Sequence, residues 1–485
     1  MRRLLCGLSI VLSVSFTFAQ QSPNPLAPFL KETDPVIVLN HVRIIDGTGA
    51  APQDDMRIDI ENGKISRVQS AKLRNAYPPN AKVLDLSGKT IIPGLVGMHE
   101  HLFYTLPNPH RNPSFLMAEM ADSAPPLYLA GGVTTARTAG SLEPYTDLSI
   151  KQAVDAGKLP GPKLHITGPY LGGLMGIAPQ LHTLTGPDDA ARTVDYWAAE
   201  GVTSFKAYMD IKPEELKVAI EHAHAKGLKV TGHLCSVGFK EAAALGIDDL
   251  EHGLAVNTEF YAGRKPGECT DPNKASDDLA KNINVDGPQV QDLIRDLVAH
   301  HVAITSTLAV FETFVPNRPP LAREMAALDT LTPLAREQFF RTRASIAQDV
   351  NSPTETDAPL LKKEMQFELA FAKAGGLLIA GCDPTGYGGV VPGFCDQREI
   401  ELLVEAGFTP VQAIQVATEN GAKYLGEESS IGTVAAGKAA DLVLLNGNPA
   451  DKIEDIEKID TVFKDGVGYD PAKLIDSAKG LVGLR

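Results

Sequence analysis

The residues that can do chemistry begin with His99 and His101, two apart at the end of the apolar run Ile91-Ile92-Pro93-Gly94-Leu95-Val96-Gly97-Met98. On an extended strand, residues i and i+2 point to the same side, so both imidazoles can grip one metal ion. Taken alone, His-x-His reads more readily as two solvated histidines at a turn. Further ligands must therefore come from elsewhere in the chain. Lys206, His233, His252 and Asp383 are the candidates, and each closes a short apolar or β-branched run.

The elements that must position them follow a regular rhythm. Strand-like runs at 132–137, 163–168, 201–208, 228–233, 248–253, 302–307 and 377–383 alternate with helical patterns at 188–200, 213–226, 236–245, 288–301 and 358–374. With the run ending at His101, that makes eight strands. Eight βα units predict an α/β fold, a parallel (β/α)8 TIM barrel, in which working residues sit at the C-terminal strand ends. The six candidates fall at or near the last positions of strands one, four, five, six and eight, a coincidence hard to assign to chance. Segments 256–284 and 311–357 interrupt the rhythm after strands six and seven and read as insertions over the barrel mouth.

Residues 21–34 read as an aperiodic leader. Short antiparallel strands are expected at 35–39, 42–45, 56–60, 64–68 and 82–86, with Asn62-Gly63 as a hairpin signal. After a helix at 409–424, strands return at 432–434, 441–445 and 458–463. The two chain ends, 36–92 and 428–470, are expected to pair into a small β-sandwich flanking a barrel at 93–427.

At 485 residues, with 44% hydrophobic and 22% charged residues, the chain can bury a large core. Residues 1–20 combine Arg2 and Arg3, an apolar stretch from Leu4 to Phe18 and Thr17-Phe18-Ala19 before a cleavage point. This is the pattern of a secretory signal peptide, and it predicts a periplasmic or secreted protein with no membrane segment after cleavage. Losing the two arginines takes the formal charge from −15 to −17. That balance argues against nucleic acid or an anionic membrane as partner. Cys235, Cys269, Cys382 and Cys395 remain, with three full pairings open. One disulfide is expected in an oxidising compartment, and Cys382 with Cys395 closes the shortest loop.

Several stretches together carry a family resemblance: Pro93 to His101, Gly132-Val133-Thr134-Thr135, Ser204-Phe205-Lys206-Ala207-Tyr208, Gly232-His233, Glu251-His252-Gly253, Asp383-Pro384 and the segment 432–443. Over about 36–470 the chain resembles the amidohydrolase superfamily of metal-dependent hydrolases. It looks closest to the subgroup of imidazolonepropionase-related proteins and exported prolidase-like dipeptidases. The resemblance implies two divalent metal ions, with zinc expected and manganese or cobalt suited to the same donors. His99, His101 and Asp383 would hold one, and His233 and His252 the other. Lys206 would bridge them after its neutral amine adds carbon dioxide to become a carbamate. Burial behind Phe205 favours that neutral amine. If Lys206 instead pairs with an acid, the site holds a single metal. Metals sharing a water make hydroxide available near neutral pH. Asp383 would take its proton and return it to a leaving amine.

The function so implied is cleavage of amide C–N bonds in dipeptides or N-acyl amino acids. The alternatives are a hydantoinase-like cyclic-amide hydrolase or a lactone hydrolase, and a non-catalytic scaffold that kept the barrel. Tyr208, His182 and Arg137 are the candidate substrate contacts, with packing as the alternative for Tyr208 and a salt bridge to a neighbouring strand as the readier reading of Arg137. His222, His224, His300 and His301 read as solvated, and His165, Cys235 and Cys382 as core. Glu100 points away from its histidine neighbours. A homo-oligomer is compatible with the sequence.

Overall fold

The computed structural model describes residues 24–73, 75–107, 115–172, 181–348, 356–384 and 389–485. The expected signal peptide at 1–20 lies outside the described residues, as does part of the 311–357 insertion. Among the described residues, no helix is long and apolar enough to cross a membrane.

Both chain ends join one nine-stranded sheet. Thr90–Pro93 is its hinge to the rest of the chain. It pairs antiparallel with Leu442–Leu445 and parallel with the end of Val36–Ile44. The expected sandwich is one continuous hydrogen-bonded sheet with a bend. At His41 (φ 59°) the register of Val36–Ile44 shifts. Its first half then pairs with Lys82–Asp85 and its last residues with Thr90–Pro93. A bulge of this kind re-aims a strand so that it can serve two neighbours. Ile37, Leu39, Ile58, Ile60, Leu442, Leu444 and Phe463 form the sheet's core.

Two expectations fail here. Leu30–Glu32, read as part of a leader, pairs with Val467–Tyr469, and three residues are too few to show a strand period. The segment 432–434 forms no strand, because Gly432 takes a left-handed backbone (φ 85°) and Val434 N–H donates instead to Asp46 O.

From Leu95 the chain alternates parallel strands with helices. Among the described residues the strands are Leu95–Glu100, Val133–Thr138, the broken third strand Lys163–His165 and Thr167–Leu171, Ser204–Ala207, Lys229–Gly232, Asp249–Glu251, Ala303–Ser306 and Leu378–Ala380. Neighbours in sequence are neighbours in space throughout, all parallel. Their near-continuous burial is what a parallel sheet covered on both faces requires. The last strand returns to the first, where Asp383 N–H donates to His99 O at 3.0 Å. Gly381 makes this approach feasible, since a Cβ there would lie 2.1 Å from His99 N.

The insertions after the sixth and seventh strands hold helices at Pro272–Asn282, Leu321–Leu328 and Pro333–Gln348. Four cysteines pair, not two: Cys235 with Cys269 and Cys382 with Cys395. The first ties the chain just past the fifth strand to the 256–284 insertion. The second ties the neighbour of Asp383 to the helix Phe394–Ala406. Cys235 and Cys382 are therefore bonded rather than simple core filling.

A group of buried acids braces the outer side of the seventh strand. Ser306 Oγ is hydrogen-bonded to Glu368 Oε2 (2.9 Å) and Glu399 Oε1 (2.6 Å), donating its one hydrogen to one and accepting from the other, while Glu364 Oε2 accepts from Ala255 N–H (2.6 Å). Burial raises all three carboxyls, Glu364 to about 8, Glu399 to about 7 and Glu368 well above its usual range. Folded-state values above the unfolded ones give stability that is fully present below about pH 4.5 and lost as pH rises through 7 to 8. Thermal melts should therefore fall between pH 6 and 9. Glu368→Gln, which imitates the protonated acid, should flatten that fall and raise the melting temperature at pH 9 by about 2 °C or more. Parallel pH profiles of the two proteins would contradict the assignment.

Candidate metal centre

The strand ends bring the six candidates together. His99 lies in the first strand and His101 one residue past it, Lys206 is in the fourth, and His233 and His252 directly follow the fifth and sixth. Asp383 comes three residues after the eighth. His252 (φ 67°) and Asp383 (φ 52°) adopt left-handed backbone, which is costly for residues other than glycine. Such strain persists where the surroundings enforce it and gathers at working sites.

Asp383 Oδ1 lies 3.3 Å from His101 Nε2 and 3.6 Å from His99 Nε2, and its Oδ2 is 4.0 Å from His252 Nδ1. Ring centroids of His99 and His101 are 5.3 Å apart, those of His99 and His252 4.5 Å, and those of His233 and His252 4.6 Å. All four imidazoles are buried or nearly so. Burial, with the positive Lys206 adding to it, lowers His99 to about 4 and His233 to about 3. Burial and the neighbouring His99 and His233 push His252 well down too. Neutral imidazole is the form that ligates metal. Burial alone would raise the Asp383 carboxyl, but the surrounding histidines hold it well below the usual range, as a carboxylate.

The donor set fits divalent metal ions. Nitrogen and oxygen donors of His99, His101 and Asp383 all lie within 4.8 Å of one another. His101 Nδ1 is buried without a hydrogen-bond partner. Four imidazoles and a carboxylate converging in a buried site match first-row divalent ions.

A residue that sequence reasoning passed over organises this centre from below. The Nδ1–H of His99 donates to Glu251 Oε2 at 2.6 Å, which turns Nε2 towards Asp383. Glu251 Oε1 accepts from Thr231 Oγ1 (2.6 Å) and Arg137 Nη2 (2.9 Å) and lies 3.6 Å from Lys206 Nζ. His252 Nδ1 is likewise hydrogen-bonded to Thr307 Oγ1 at 2.8 Å. Partners of this kind fix the tautomer and orientation of ligand histidines. Glu251→Gln should weaken metal affinity about 10- to 100-fold, and because it leaves the buried Arg137 and Lys206 short of a counter-charge the melting temperature of the metal-free protein should fall as well. Competitive titration against a chelating dye reads this, and unchanged affinity would exclude the role.

Lys206 is fully buried, and burial lowers its amine. The acid partner anticipated as an alternative is present in Glu251. The ammonium's attraction to Glu251 thus competes with the neutral amine that burial favours.

The expected substrate contacts fare differently. Arg137 is buried with Nε on Met98 O (2.8 Å) and Nη2 on Asp249 (3.0 Å) and Glu251. Its charge is used inside the strand ladder, in the salt bridge to neighbouring strands that is the readier reading of this residue. His182 is more than half exposed and pairs with Asp189 at 2.7 Å, on the rim of a cleft of about 530 Å³ that Tyr145, Tyr196 and Trp197 also line. The structure shows no contact between His182 and the metal centre. Tyr208 stands beside it, its ring 5.0 Å from that of His233 and 4.9 Å from that of Tyr170. Glu100 faces away, towards Asp396 and Cys382. His165 is not core but pairs with Glu427 at 3.3 Å. Phe103 packs on His101 (4.6 Å) and Phe311 on His252 (5.9 Å), so aromatic rings flank the centre on two sides.

Comparison with known proteins bears on this fold and constellation. The Amidohydrolase family model matches residues 90–468, and the chain belongs to that family. It is 32% identical over 108 residues to the imidazolonepropionase of Parabacteroides distasonis, a stretch covering 20% of this chain and 26% of that one. It is 36% identical over 70 residues to the N-substituted formamide deformylase of Arthrobacter pascens, covering 14% and 12%. The chain thus aligns with about a quarter or less of these curated relatives. A Xaa-Pro dipeptidase solved with methionine in its active site superposes with a TM-score of 0.64 at 22% identity, covering 90% of this chain and 100% of that one. At that identity the likeness speaks for the fold.

Proposed function

We propose that this chain is an exported, metal-dependent hydrolase of amide C–N bonds acting on dipeptides or N-acyl amino acids. The observation that carries the reading is the convergence of His99, His101, His233, His252, Asp383 and Lys206 at the ends of five strands. We read the ladder as a closed (β/α)8 barrel spanning 93–427, with the sheet of 36–92 and 428–470 as a second domain. The arginine-led apolar segment at 1–20 and the paired cysteines support export to the periplasm or beyond.

In this reading His99, His101 and Asp383 would hold one divalent ion, zinc by preference, and His233 and His252 a second. Lys206, once its neutral amine had added carbon dioxide to become a carbamate, would supply the anionic oxygens between the two ligand sets. Such ions acidify water and polarise a carbonyl. The protein's own part is positioning and proton transfer. Glu251 and Thr307 keep the lone pairs of His99 and His252 aimed at the centre. The Asp383 carboxylate accepts the proton of the attacking water and delivers it to the leaving amine. Phe103, Tyr208 and Phe311 exclude bulk water, which strengthens each electrostatic contact inside. Cleavage at an amide nitrogen is also in keeping with the formamide deformylase and the Xaa-Pro dipeptidase to which the chain is similar.

The test is a hydrolysis screen of zinc-loaded enzyme over dipeptides, N-acyl amino acids, hydantoins and lactones. Turnover of the first two classes is expected. Turnover confined to lactones would overturn the amide reading.

A further inference from the structure

The turn that steadies His252 is itself held from outside. The strand Ala303–Ser306 passes through Thr307 into the short helix Leu308–Glu312. Thr307 Oγ1 is hydrogen-bonded to His252 Nδ1 at 2.8 Å, and Phe311 of the helix lies 5.9 Å from the same ring. One turn of chain therefore touches this histidine twice.

Thr307 is the N-cap of that helix, where a threonine hydroxyl ordinarily accepts from the second or third helical N–H. Among the described residues its side chain makes no such bond, because the hydroxyl is committed to His252. Glu399, from the helix Phe394–Ala406, supplies the cap instead. Its Oε1 accepts from Leu308 N–H at 3.1 Å and its Oε2 from Ala309 N–H at 2.7 Å. Oε1 is also hydrogen-bonded to Ser306 Oγ at 2.6 Å, so the carboxyl group grips residues on both sides of Thr307. The adjoining Arg398 fixes the far end of the short helix by donating to Glu312 at 2.7 and 2.8 Å. Ser306, Thr307, Glu312 and Glu399 are all buried.

We propose that Glu399 is a positioning residue for the metal centre: by capping the helix in place of Thr307, it leaves the Thr307 hydroxyl to His252. The inference rests on the metal-centre reading and extends it one layer outwards. Without the Glu399 carboxyl, a buried N–H at the helix start has no acceptor, which is costly. The N-cap hydroxyl is the group placed to answer it, and turning to it breaks its bond to His252. The imidazole then loses the partner that orients it.

The test measures zinc binding to the metal-free full chain, by competition with a chelating dye, in wild type, Glu399→Gln, Thr307→Val and the double variant. Glutamine keeps the volume but offers a single acceptor oxygen, so one N–H loses its acceptor. Each single substitution should weaken one zinc equivalent by about 10-fold, and the double variant should be no weaker than either. Independent effects would multiply to about 100-fold in the double variant, and that result overturns the inference. Unchanged zinc affinity in Glu399→Gln overturns it too. Melting curves show which variants fold, and Glu399→Asp, whose shorter side chain draws the oxygens back, replaces a Glu399→Gln that does not. If wild type binds no zinc, the metal reading falls, and the imidazole ¹⁵N spectrum of histidine-labelled, metal-free protein decides the positioning role. The His252 signal is the one that Thr307→Val moves. Glu399→Gln should move the same signal in the same direction, and a signal that stays in place overturns the inference.

Discussion

Asp383→Asn is expected to lower kcat/KM for amide hydrolysis by about 10²- to 10⁴-fold, the range for losing a positioned general acid–base. The amide keeps the volume and one acceptor oxygen, so the left-handed turn at this position (φ 52°) and its backbone bond to His99 O can persist. What is lost is a group able to take and return a proton. His99 and His101, 3.6 and 3.3 Å from Asp383 Oδ1, also lose their carboxylate partner, so metal should bind more weakly at that end. Metal content measured beside the rate separates the two effects. An Asp383→Asn enzyme that stays metal-loaded and works at full rate would show that the proton moves elsewhere.

Lys206→Ala should be nearly as damaging, by a different route. The variant should hold fewer metal equivalents than wild type, and its rate should fall by at least about 10²-fold. Lys206→Arg is the sharper control, because a guanidinium stays protonated and forms no carbamate. Adding bicarbonate during zinc loading should raise wild-type activity and leave both variants unchanged. The structure sets up this comparison, since Lys206 stands 3.6 Å from Glu251 and can be satisfied as an ion pair instead. Full metal content and rate in Lys206→Ala would mean that the ion pair is its whole role.

The site was legible in the sequence to the extent that strand geometry makes it so. His99 and His101 share a face through the period of two. His233 and His252 each directly follow an apolar or β-branched run, where a parallel strand in this fold ends. What the period does not show is which residues meet across strands. Glu251 bonds His99 across 152 positions of sequence, and Thr307 bonds His252 across 55. The clue for Glu251 was its alternation with Asp249, which points both carboxylates inward on one strand. Two inward acids demand a buried cation, and Arg137 is that cation rather than a substrate contact. The bend at His41 and the turn at Gly432 depend on single backbone conformations that residue type leaves open.

The most direct measurement is a zinc titration of chelator-stripped enzyme, with the initial rate of dipeptide and N-acyl amino acid hydrolysis followed at each addition in bicarbonate buffer. The account predicts no hydrolysis without metal and a rate that saturates at two equivalents per chain. Amide hydrolysis that persists without metal, or that is absent at every zinc level, would contradict it.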